Sequence, residues 1–172
     1  MCDLQKQILN DYSITIHSYQ NNTIDNIPEF LKKIDKITSQ KKDSIIQLLD
    51  CEYICGIKHL NQAITQAIKA FNEKQNFAND KGLEICVRLS AQKQITEALK
   101  LLGIKKQGNI TVVYINTTDN QIQEVEQLLT NRNDELLEIY DSKKIVKEYK
   151  LVNDENIVDT LCEQIALLSI KN

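Results

Sequence analysis

The chain has 172 residues, 42% of them hydrophobic and 26% charged, with a formal net charge of −3. That is enough apolar side chain for a single domain, 1–172, around one core, and it excludes a largely disordered chain. The slight acidity excludes capture of nucleic acid by overall charge, so any RNA contact has to use a local basic face.

In chain order, Ser13 to Tyr19 alternates apolar and polar residues, which predicts a first strand with Ile14 and Ile16 on one face. Asn26, Pro28 and Glu29 form a helix-start signal, and Phe30, Ile34 and Ile37 give that helix its apolar side. Ser44 to Asp50 reads as a short helical turn, and Glu52 to Gly56 is open between strand and loop. From His59 the helical period is clear: Leu60, Ala63, Ile64, Ala67, Ile68 and Phe71 recur at three- and four-residue spacing. Leu83 to Ser90 reads as a second strand, with Ile85, Val87 and Leu89 facing one way and Arg88 the other. Ser90 is expected to cap a helix striped by Ile95, Ala98, Leu99 and Leu102, and Gly103 to take the left-handed position past its end.

Asn109 to Asn116 is a third strand, rich in β-branched residues. Thr118 and Gln121 form a capping-box pair ahead of a helix with Ile122, Val125, Leu128 and Leu129 inward. Leu136 to Tyr140 is open between strand and helical turn. A last helix starts near Asp154, striped by Val158, Leu161, Ile165 and Leu168. The fold class is therefore α/β, close to α+β: a small central mixed, largely antiparallel sheet of three to five strands flanked by helices.

Little here looks catalytic. The two histidines, His17 and His59, accompany no nucleophile motif, and no glycine-rich phosphate loop is present. The cysteines, Cys2, Cys51, Cys55, Cys86 and Cys162, lack zinc or redox spacing and read as free thiols of a reducing compartment. No metal and no cofactor is expected. No apolar run approaches the roughly 18 residues that span a membrane. The start M-C-D-L-Q-K-Q-I lacks a signal peptide's apolar stretch. A cytoplasmic protein without membrane contact is expected. Two basic groups remain: Lys58 with His59 at a helix start, and Arg88, Lys93, Lys100, Lys105 and Lys106 around the second strand.

Three blocks then match a known pattern. They are K-H-L-N-Q-A-I-T-Q-A at Lys58 to Ala67, L-E-I-C-V-R-L-S-A-Q-K-Q-I-T-E-A-L-K-L-L-G-I at Leu83 to Ile104, and I-A-L-L at Ile165 to Leu168. In this order they resemble the family of the small KEOPS-complex subunit, the PRPK-binding proteins of CGI-121 type. Ala91 stands where that family often has glycine, and Lys93 where arginine is common. The bias toward Asn, Ile and Lys suits an AT-rich, archaeal source.

The resemblance implies a non-enzymatic subunit that binds the PRPK-type kinase/ATPase of the complex. It also implies recruitment of tRNA by its 3′ CCA end for threonylcarbamoyl-adenosine modification, with indirect contact to the threonylcarbamoyltransferase subunit. By matching position, Lys58, His59, Arg88, Ser90, Lys93 and Gln94 are the candidates for tRNA contact. Leu161, Ile165 and Leu168 of the C-terminal helix are those for the kinase surface. Two other readings compete: a stand-alone small-molecule-binding or hydrolytic α/β protein using His59 with Cys55 or Cys86, and a structural adaptor without RNA contact.

Overall fold

The β-branched run predicted as the third strand lies at the centre of the molecule. In the computed structural model, which describes residues 3–170, strand β1 covers Ile14–Thr23, β2 covers Ile45–Asp50 and β3 covers Gln107–Ile115. Their order is β1-β3-β2 and both pairings are antiparallel; Ile115 is partnered by Ile14 on one side and Ile45 on the other. Residues Val112 to Ile115 have no exposed surface, because β3 has a strand on each edge and helices over each face. That is why its side chains are apolar in both directions instead of alternating. The expected sheet flanked by helices is what forms, at the lower end of the strand count and antiparallel throughout.

The helices are α1 (Asp3–Asp11), α2 (Ile27–Thr38), α3 (Gly56–Asn72), α4 (Lys81–Ser90), α5 (Ile95–Leu102), α6 (Asp119–Leu128), α7 (Ser142–Glu148) and α8 (Ile157–Leu168). On one face of the sheet, α2 and α6 close over Val112 and Tyr114. Helix α2 buries Phe30, Ile34 and Ile37 as its period requires, and the Asn26 side chain accepts from the Glu29 N–H. Helix α6 opens with the Thr118–Gln121 capping box. The Gln121 amide also donates to the Ile37 carbonyl (2.9 Å), tying α6 to the end of α2. On the other face, Val113 and Ile115 meet α3, α4, α5 and α8 through Leu60, Ile64, Ile85, Ala98, Leu102 and Ile165. A satellite cluster of Cys55, Ile145, Tyr149, Ile157 and Leu161 joins α7 and α8 to the start of α3.

Four local expectations are corrected. Leu83 to Ser90 is helix, not strand: Asp80 caps it by accepting from the Gly82 N–H, and Glu84 to Ser90 are all buried. A helix buried all round shows no stripe, so its alternating Ile85, Val87 and Leu89 read as period two. Ser44 to Asp50 forms β2, not a helical turn; its apolar side chains serve both faces of the sheet and leave no alternation to read. Ser90 ends α4 and donates to the Val87 carbonyl, while Gln94 occupies the N-cap of α5. Gly103 is extended, and its need for glycine is one of space: a Cβ there would lie 2.5 Å from the Leu99 carbonyl oxygen. The left-handed residue is Ala91, φ 56°.

Of Leu136 to Tyr140, the first three residues end a 3-10 turn, Asp134–Glu138, and Ile139 and Tyr140 follow it; α8 starts slightly later than Asp154. Among the described residues Cys51, Cys55 and Cys86 are buried free thiols and Cys162 is a half-buried one; Cys2 lies outside the described residues. Among the described residues no helix is long and apolar enough to cross a membrane.

Candidate functional site

The candidate residues divide by accessibility. Arg88 is fully buried, and every arm of its guanidinium is used. Its Nε donates to Glu84 Oε2 at 2.8 Å, one arm donates to Ser169 Oγ at 3.0 Å, and the other to the Gln75 carbonyl at 3.2 Å. The group also stacks on Phe77, 4.5 Å from the ring centre. Glu84 Oε1 in turn accepts from the Phe77 and Ala78 N–H groups. Desolvating two charges is costly unless all their polar atoms are matched, and here they are. The assignment of Arg88 to direct RNA contact is corrected on this ground: it ties α4 to the loop before it and to the C-terminal end of α8. Ser90, with no exposed surface, is likewise structural.

His59 is also enclosed. Its Nδ1 accepts from the Cys55 N–H at 3.0 Å, which leaves the proton on Nε2, 3.2 Å from the Leu89 carbonyl. Tyr149 packs edge-on against the ring. Burial lowers the pKa of His59 to about 4, so it is neutral at ordinary pH. Burial pushes the Cys55 and Cys86 thiols up to about 12. This group therefore joins the start of α3 to the end of α4 and offers no accessible surface to RNA, which corrects the place of His59 among the contacts. The anion favoured by the first amides of α3 is already supplied: Glu138 Oε1 accepts from the Ile57 N–H at 2.7 Å. Gly56, at φ +85°, makes room for it, since a Cβ would fall 2.5 Å from Glu138 Oε2.

Lys58, Lys93 and Gln94 are exposed. Lys58 Nζ pairs with Asp159 Oδ1 of α8 at 2.7 Å, and Lys93 Nζ lies 6.0 Å from the Phe77 ring. Close to Lys93 in the sequence, Gln92 lines a cleft of about 400 Å³ with Tyr53, Glu97, Lys100, Leu101, Glu148 and Lys150. Sequence reading missed Tyr53, Gln92 and Lys150; only Lys100 had been grouped as basic, and nothing local links α5 to the turn at Cys51–Tyr53. Lys105 stands beside the cleft, its Nζ 5.7 Å from the Tyr53 ring centre, and is held on Asp50 at 3.0 Å and on the Leu101 and Gly103 carbonyls.

On α8 the stripe of Leu161, Ile165 and Leu168 points inward, with Leu161 and Ile165 in the cores described above. These three pack the fold together, so their assignment to a kinase surface is corrected too. Leu167 of α8 is half-buried, and Ile170, two residues past the helix end, is 75% exposed.

A sequence profile of the family described as kinase binding protein CGI-121 matches residues 21–170. The chain belongs to this family. The regulatory protein Cgi121 of Methanocaldococcus jannaschii is 31% identical over 128 residues, which span 73% of this chain and 83% of the relative. The matched stretch of the CGI-121 family holds β2, β3 and α2 to α8, and thus every candidate residue above; α1 and most of β1 precede it. It includes the one-residue departure at Ala91. The glycine common there in the resembled pattern has a physical cause, since that residue has a positive φ, which a Cβ disfavours.

Proposed function

We propose that the chain is a non-catalytic subunit of the KEOPS complex. It binds the PRPK-type kinase/ATPase and brings tRNA, by its unpaired 3′ CCA end, to the threonylcarbamoyltransferase subunit. The observation that carries this reading is membership of a kinase-binding family across residues 21–170. The non-catalytic part is supported by the chemistry of the only histidine–cysteine group singled out in the sequence. A histidine neutral down to about pH 4 and thiols raised to about 12 supply neither cation nor thiolate near neutral pH.

For RNA, the accessible candidates are Lys58, Lys93 and Gln94, and to these the cleft adds Tyr53, Lys100 and Lys150. A single strand requires a ring to stack on and a few separated cations; the cleft offers Tyr53, Lys100 and Lys150, with Glu97 and Glu148 beside them and Lys100 on Glu97 at 3.4 Å. Arg88, His59 and Ser90 then act by holding α3, α4 and the end of α8 together. For the kinase, Leu167 at the end of α8 and Ile170 just beyond it take the place of the inward stripe.

The test is a gel shift with intact tRNA and with tRNA lacking its terminal CCA, beside co-purification with the kinase. Intact tRNA is expected to bind more tightly, Lys93→Glu with Lys100→Glu to weaken it about tenfold, and Ile170→Glu to weaken kinase capture alone. Equal binding of the two RNAs would sink the CCA reading. Kinase capture without any RNA binding would leave a structural adaptor.

A further inference from the structure

The two edges of the sheet differ. The outer edge of β1 is closed by the chain itself: Gln20 N–H donates to the Asn131 carbonyl and Asn133 N–H to the Ser18 carbonyl, each at 2.8 Å. Ser18 N–H donates to Asp134 Oδ1 at 3.0 Å. The outer edge of β2 has no such cover. Among the described residues its backbone hydrogen-bonds to β3, its other hydrogen bond is from the Gln47 side-chain amide to the Leu48 carbonyl at 3.1 Å, and Gly82 at the start of α4 packs against the Ile45 and Gln47 side chains. The strand reads I-I-Q-L-L-D, without the lysine, arginine or proline that usually guards an open edge.

A cleft of about 280 Å³ runs along this edge, with α2 on one side and α4 and α5 on the other. Leu31 of α2 and Leu99 of α5 stand at its walls, 39% and 42% exposed, and Ile45 and Leu48 lie along its floor. The ionisable groups that line it are Asp35 and Asp80, both exposed.

We propose that this edge receives an extended segment of a partner protein, which pairs with β2 as a fourth strand. Its aliphatic side chains lie against Leu31 and Leu99, and a lysine or arginine sits beside Asp35 or Asp80. Main-chain pairing supplies affinity in such a mode and the flanking side chains supply selectivity. The acidic rim favours a foreign basic segment over a second copy of this chain, whose own Asp35 and Asp80 would be brought against their equivalents. None of these residues belongs to the RNA or α8 surfaces, so the inference stands apart from the proposed function.

The experiment uses a synthetic decapeptide of alternating valine and lysine, with binding read by fluorescence anisotropy and by backbone amide shifts. Saturable binding with shifts at residues 45–49 is expected. A peptide with alternate backbone amides N-methylated, which cannot complete a strand, is expected to bind at least about tenfold more weakly to the unaltered protein. Leu31→Lys with Leu99→Lys should cause a similar loss with no change in melting temperature. No binding, equal binding of the two peptides, or shifts confined to another surface would overturn the proposal. So would a concentration-dependent dimer abolished by Leu99→Lys, which would make the second copy the occupant.

Discussion

Two ion pairs of nearly equal length show how differently the same chemistry can be used. Glu84 and Arg88 meet at 2.8 Å with side chains 0% and 1% exposed; Lys58 and Asp159 meet at 2.7 Å with both 68% exposed. In the first, water is gone, the attraction is unscreened, and each charge depends on its partner. In the second, water and salt screen the pair, and either group can exchange its partner for a ligand at little cost. The basic residues of this chain are thus of two kinds, and only the wet kind can meet a phosphate.

The comparison breaks most visibly at Glu84. Glu84→Ala leaves Arg88 buried and unmatched, and a loss of about 3–5 kcal/mol in urea unfolding is expected. A loss under about 1 kcal/mol would show that the pair contributes no more than a surface bridge does.

Next in size is the acid response of the other enclosed candidate, His59. Its folded pKa, about 4, lies below the ordinary 6.5. Between those values the unfolded chain binds the proton and the folded one does not. Its contribution is therefore fully present above pH 6.5 and is lost as pH falls toward 4, in total about 3 kcal/mol. Denaturant unfolding at stepped pH, beside His59→Gln, checks this: the variant should show a flatter fall across that window. The smallest effect on stability belongs to the exposed pair. Asp159→Asn should leave the melting temperature unchanged and, by releasing Lys58, raise tRNA affinity a few-fold at low salt, with the gain disappearing at high salt. A drop in melting temperature instead would place Asp159 among the structural acids.

Elements with one wet face were legible in the sequence. The period of α2 and α3 and the capping box of α6 declared themselves, because water on one side forces a pattern; β3, covered on both faces, was legible by its β-branched content alone. The other segments without a wet face were not. β2 and α4 are largely enclosed on every side, and a strand and a helix then look alike over so few residues. The Glu84-to-Arg88 spacing of four, behind an Asp80–Lys81–Gly82 start, was the signal for helix, and it also marks a pair that can be buried together. The site suffered for the same reason. Arg88 drew attention as a cation in an apolar run, and that setting is what encloses it. The cleft at Tyr53 and Lys150 depends on residues distant in sequence, which no local pattern joins.

The order of strands has a consequence for how the protein is made. β1 and β2 come early in the chain, yet each pairs with β3 and not with the other, and Ile14 waits for Ile115. A growing chain therefore carries two unpaired strands through the synthesis of α3, α4 and α5, and no hairpin can form to nucleate the sheet. Such long-range pairing slows folding and leaves apolar strands open to mispairing meanwhile. The last-made strand of the sheet is its keystone, and a chain cut short before Gln107 would have helices but no sheet to pack them on.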